Sequence, residues 1–73
     1  MDPITLTPTM AAMLQNIATG QNPSAGLTED LKARVDSMRE LCRTRLVYSS
    51  IDGSIKTTEL GCLSLIHHLE IRK

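Results

Sequence analysis

The 73-residue chain contains no tryptophan, no phenylalanine and a single tyrosine, Tyr48. That scarcity removes the aromatic platform on which single-stranded nucleic acid stacks. Charge of either sign is not in excess: 8 basic and 8 acidic side chains cancel, so no global field steers the protein onto a polyanion. No stretch approaches the roughly 20 apolar residues that span a bilayer, and Met1-Asp2-Pro3 lacks the basic start and apolar run of a secretory leader. The expected setting is therefore a reducing cytoplasm. The two cysteines, Cys42 and Cys62, could form at most one bridge. Both fall at apolar positions of expected helices, so they are read as buried free thiols.

Metal ligands are also scarce. His67 and His68 are adjacent and point to different sides of a helix, and Cys62 is not three or four residues from His67, so no ligand pair shares a face. One histidine should be exposed and the other should lie at the edge of the core. The chain has no glycine-rich phosphate loop and no nucleophile with a converging base. It is read as a non-enzyme that takes no cofactor and no metal. A single small domain buries only about 60% of the surface of its unfolded chain. With no disulfide or metal expected, self-association is the remaining source of extra stability.

What is present is helical patterning around one hairpin. After an unpatterned, loose stretch at residues 1–6, Thr7-Pro8 supplies a capping hydroxyl and a proline suited to a first turn. Met10, Met13, Leu14 and Ile17 then form one stripe, and Gly20 terminates a helix over about 8–19. Residues 21–26 form a loop rich in small and turn-forming residues. A second helix is expected over about 28–45, capped by Thr28 and oriented by Glu29 and Asp30 at one end and Arg39, Arg43 and Arg45 at the other. Its buried face should be Leu27, Leu31, Val35, Met38, Leu41 and Cys42. Lys32, Asp36, Arg39, Glu40 and Arg43 are left for water or a partner.

From Leu46 the pattern changes to a hairpin over about 46–57. If Asp52-Gly53 is a two-residue loop, Ile51 pairs with Ser54, Ser50 with Ile55, Ser49 with Lys56 and Tyr48 with Thr57. Leu46, Tyr48 and Ile55 would then share the core face. Thr58 or Thr57 caps a last helix reaching about Glu70. Gly61 near its start implies a close backbone approach, most simply to the hairpin. Cys62, Leu65, Ile66 and Leu69 form its stripe. Leu60, Leu63 and Ile71 fall outside that stripe and are the candidate contacts of a homodimer. The expected class is α+β and mostly helical: helix, long helix, two-stranded hairpin, C-terminal helix.

The run Leu41 to Leu69, with Leu46-Val47 ending a helix, a hairpin about Asp52-Gly53 and Thr58-Glu59-Leu60-Gly61 opening the next helix, resembles the second half of a bacterial winged-helix domain. Thr7-Pro8 resembles the start of one. That family places two consecutive helices between its first helix and the wing, the second entering the major groove. Here Leu46 lies 26 positions after Gly20, which leaves room for one loop and one long helix. The resemblance is thus to truncated winged-helix regulators of phages and to small negative regulators that bind transcription factors. It implies a domain that binds and modulates, chiefly by inhibition, a partner protein.

The alternative is a DNA-binding transcriptional regulator. The candidate contacts for either role are Lys32, Arg39, Arg43, Arg45 and Lys56, since arginine suits phosphate and guanine alike. Residues 28–47 hold five basic and four acidic side chains, a net of +1. That balance favours protein over DNA.

Overall fold

A computed structural model describes residues 2–71. The elements run α1 (Pro8–Ala18), α2 (Leu31–Arg43), β1 (Val47–Ser49), β2 (Ile55–Thr57) and α3 (Glu59–Ile71). The class is α+β: three helices and a two-stranded antiparallel hairpin.

The first helix starts where its sequence signals place it. The Thr7 hydroxyl accepts the Met10 N–H at 3.2 Å, and Pro8 occupies the first turn. Met10, Met13, Leu14 and Ile17 are all buried. Past its end, the Asn16 amide donates to the Pro23 and Ala25 carbonyls at 3.0 and 2.9 Å, which folds the following loop back on the helix.

The second helix is shorter than expected. Asp30, not Thr28, caps it, its carboxylate accepting the Ala33 N–H at 2.8 Å. Glu29 is drawn aside to the Thr9 hydroxyl at 3.3 Å, so residues 28–30 stay outside the helix. At the far end Arg45 adopts φ +61°. Its N–H donates to the Cys42 carbonyl and the Leu46 N–H to the Leu41 carbonyl, at 3.1 and 3.0 Å. This is the Schellman ending, with arginine at the left-handed position that glycine usually fills.

The hairpin is one residue out of the expected register. Val47 pairs with Thr57, Tyr48 with Lys56 and Ser49 with Ile55. A two-residue Asp-Gly loop needs positive φ at both residues, and only Gly53 has it, at +88°. The turn is instead a three-residue loop, Ile51 to Gly53, closed by the Gly53 N–H on the Ser50 carbonyl at 3.0 Å. Asp52 stiffens it by accepting the Ser54 N–H and hydroxyl at 2.9 and 2.6 Å. A one-residue shift exchanges the faces: Ile55 joins Val47, while Tyr48 turns to the opposite face with Lys56. The expected core face of Leu46, Tyr48 and Ile55 is therefore not formed. Leu46 and Val47 are buried, and Tyr48 and Ile55 are exposed.

The start of the last helix is fixed by Thr58 and Gly61. The Thr58 hydroxyl accepts the Gly61 N–H at 3.0 Å and donates to the Arg45 carbonyl at 2.7 Å. A Cβ at Gly61 would lie 2.2 Å from the Leu46 carbonyl oxygen, so glycine is required for this approach to the start of the hairpin. The face that meets the core is therefore Gly61, Ser64 and Leu65. The expected stripe is mostly inverted: Cys62, Ile66 and Leu69 point outward, and Leu60 packs on the core.

Around α1, the core gathers Leu6, Met10, Met13, Leu14, Ile17, Leu41, Leu46, Val47 and Leu65. The stretch before α1 is pinned, not loose. Leu6 is buried, and the Ile4 N–H donates at 2.8 Å to the hydroxyl of fully buried Ser64.

Candidate protein-interaction surfaces

The charged face of α2 is built by spacing alone. Lys32, Asp36, Arg39 and Arg43 recur every three or four residues and so share one side; Lys32, Asp36, Arg39, Arg43 and also Arg45 and Lys56 are exposed. Arg43 is engaged locally, forming a salt bridge with Glu40. Hydrogen bonding to Arg43 holds the Glu40 carboxyl below its ordinary range, and the same bond raises the Arg43 guanidinium. Both groups are fully exposed, so solvent screens the pair and its stabilising effect is small. Asp36 and Glu40 interrupt the cations along this face. Arg45 stands apart at the helix end, and Lys56 lies on the hairpin, so these candidate contacts do not converge on one patch.

The other side of α2 departs most from expectation. Leu41 is fully buried, but Leu31 and Val35 are 68% and 45% exposed, Cys42 is exposed, and Met38 and Leu27 are only half-buried. The apolar period is real, yet only the C-terminal part of the stripe reaches the core. Leu31, Val35 and Met38 instead open onto a groove of about 240 Å³, bounded by the loop before α2 and by Ile55 of the hairpin. A larger groove of about 730 Å³ adjoins it, sharing Asn22, Pro23 and Ile55. This one runs between the end of α1 and the hairpin residues Gly53 to Thr57, with Tyr48 and Lys56 on its wall. Together they form one depression across the molecule.

The third surface is the outward side of α3. Cys62, Ile66 and Leu69, with Leu63, are exposed at the spacing of one helix face. Of the residues expected at a dimer contact, Leu63 and Ile71 are exposed and Leu60 is half-buried against the core.

The thiols are not buried. Cys42 and Cys62 are exposed, because both helices turn other residues inward, and the Cys62 sulfur lies 3.4 Å from the Thr57 hydroxyl. His67 and His68 are both half-buried, so the expected split between an exposed and a core-edge histidine is not seen. Among the described residues no three His, Cys, Asp or Glu side chains gather closely enough to hold a metal ion, and no helix is long and apolar enough to cross a membrane.

No protein-family model, curated protein or solved structure among those compared with the chain matches it.

Sequence reasoning missed Tyr48, Ile55, Leu31, Val35 and Arg34 as surface residues. The apolar ones were assigned to the core because periodicity reports that a face is apolar, not that something covers it.

Proposed function

We propose that this chain is a reduced, winged-helix-like regulatory domain that binds a partner protein and modulates it, with no catalytic activity of its own. One observation carries the reading: the apolar side of α2 is left uncovered at Leu31 and Val35 and opens into a continuous groove beside the hairpin. Uncovered apolar residues lining a concave surface are characteristic of a protein-binding site. The mixed charge of the neighbouring face of α2, with Arg43 tied to Glu40, disfavours duplex DNA. The domain acts in the cytoplasm. It pairs with a second copy through the outward side of α3, where Leu63 and Ile66 are exposed.

The test uses the full chain as bait in a lysate of its source, beside a Leu31→Glu variant, with a mobility-shift assay on mixed-sequence duplex at ~50 mM salt, where phosphate attraction is strong. The expected result is a saturable protein partner that the variant loses, and no shift of the duplex. A duplex shift without a saturable protein partner would overturn the reading in favour of a DNA-binding regulator. Sedimentation at tens of micromolar checks the pairing separately: twice the protomer mass is expected, falling to the protomer mass in Leu63→Glu.

A further inference from the structure

The groove beside β2 has a property that apolar area alone would not give it. The Ser50 N–H donates to the Ser54 carbonyl at 2.7 Å and the Thr58 N–H to the Leu46 carbonyl at 3.0 Å. Hydrogen-bonded pairs alternate along an antiparallel ladder, so Tyr48 and Lys56 form the bonded pair between these two. The N–H and C=O groups of Ile55 and Thr57 consequently point away from β1. Among the described residues they have no hydrogen-bond partner. β1 has similar outward groups at Val47 and Ser49, but the groove of about 730 Å³ follows β2, from Gly53 to Thr57. Residues from both faces of β2 line it, Ile55 and Thr57 from one and Lys56 from the other. A groove lined by both faces runs along the edge of the strand.

We propose that β2 accepts an extended segment of the partner protein as a third strand, and that this segment alternates apolar with acidic side chains. The proposal rests on the partner-binding reading above and specifies its chemistry. Unpaired strand edges template such addition, with main-chain hydrogen bonds supplying affinity and alternate side chains supplying specificity. Successive side chains of an added strand fall on opposite faces of the sheet. On one face they meet Ile55, beside the groove lined by the exposed Leu31 and Val35; on the other they meet Lys56 and Tyr48. Among the described residues, Lys56 is the only charged side chain lining the larger groove and Arg34 the only one lining the smaller. Asp52, which faces Lys56 from the turn, is already bonded to Ser54. The electrostatic complement of the depression is therefore acidic, on the alternate positions that face Lys56.

The experiment titrates isotope-labelled full chain with three short peptides: valine alternating with glutamate, valine alternating with lysine, and the glutamate peptide carrying N-methyl groups on alternate residues. The glutamate peptide is expected to shift the Ile55 and Thr57 amide signals and slow their exchange with solvent. The lysine and N-methylated peptides should bind at least about tenfold more weakly, since one loses the charge match and the other the backbone donors. Lys56→Glu, an exposed substitution that leaves the fold intact, should invert the preference between glutamate and lysine. Equal binding of the N-methylated peptide, indifference to charge, or changes confined to α3 would overturn strand addition. If Leu31→Glu abolishes partner capture while no peptide protects the β2 amides, strand addition fails and the partner-binding reading survives. If the β2 amides are protected while no protein partner is captured, strand addition survives and that reading fails.

Discussion

The helices α1 and α2 are built to the same local plan and end up in opposite situations. Each opens on a side-chain cap, Thr7 or Asp30, and each closes in a Schellman ending, at Gly20 (φ +80°) and Arg45 (φ +61°). Each carries an apolar stripe. Yet α1 buries its whole stripe, because α2, α3 and the hairpin all pack around it. In α2 only Leu41 is buried. Local signals determine that a helix forms; whether its stripe becomes core depends on how many layers the rest of the chain can supply. In a domain this small there are too few to cover α2, and its first two turns face a groove.

The largest expected effect sets the two stripes against each other. Leu14→Ala in α1, where the side chain is fully buried, should cost about 3 to 5 kcal/mol in urea unfolding. Leu31→Ala in α2 should change stability by less than about 0.5 kcal/mol. Equal losses would mean that α2 is covered after all.

Gly61→Ala comes next. Its methyl would meet the Leu46 carbonyl oxygen, and overpacking of this kind costs about 1 to 3 kcal/mol. The expected reading is a lowered urea midpoint with an unchanged slope. The two helix endings give a smaller and opposed pair. Gly20→Ala should lose about 1 kcal/mol, while Arg45→Gly should gain a few tenths to about 1 kcal/mol, by relieving a left-handed residue that has a Cβ. Thermal melts of the two variants check the signs.

The smallest effect depends on pH. Bonds from the Ser54 hydroxyl and N–H hold the Asp52 carboxyl below its ordinary range. A lowered folded-state value means that its stabilisation is complete above the ordinary aspartate range and is lost as pH falls through the folded value. Asp52→Asn should therefore be slightly less stable than the unmodified chain near neutrality, where the aspartate is charged, and the difference should disappear as pH falls through and below the ordinary aspartate range, which urea unfolding at a series of pH values checks.

Much of this was legible from residues. Thr7-Pro8 and Gly20 bracket α1, Thr58 caps α3, and Gly61 announced the close contact with the hairpin that Leu46 makes. The hairpin itself was legible; its register was not. Asp52-Gly53 suits either a two-residue loop or the end of a three-residue one, and the φ of Asp52 separates them. The inward face of α3 was hidden because its closest contact uses glycine and serine, which carry no apolar signal, while the large residues beside them face out. Ile4 and Leu6 form too short a segment for periodicity to show, although Ser64 and the core hold them. The groove depends on all of these placements at once, so no single stretch of sequence contained it.

The most direct test of the central claim, that the free half of α2 is a binding surface and not core, is the double substitution of Leu31→Glu with Val35→Glu, followed by melting and by partner capture. The expected result is a melting temperature within a few degrees of the unmodified chain, since exposed positions contribute little to stability, together with loss of the captured protein. Unfolding of the variant, or capture as strong as before, would contradict it.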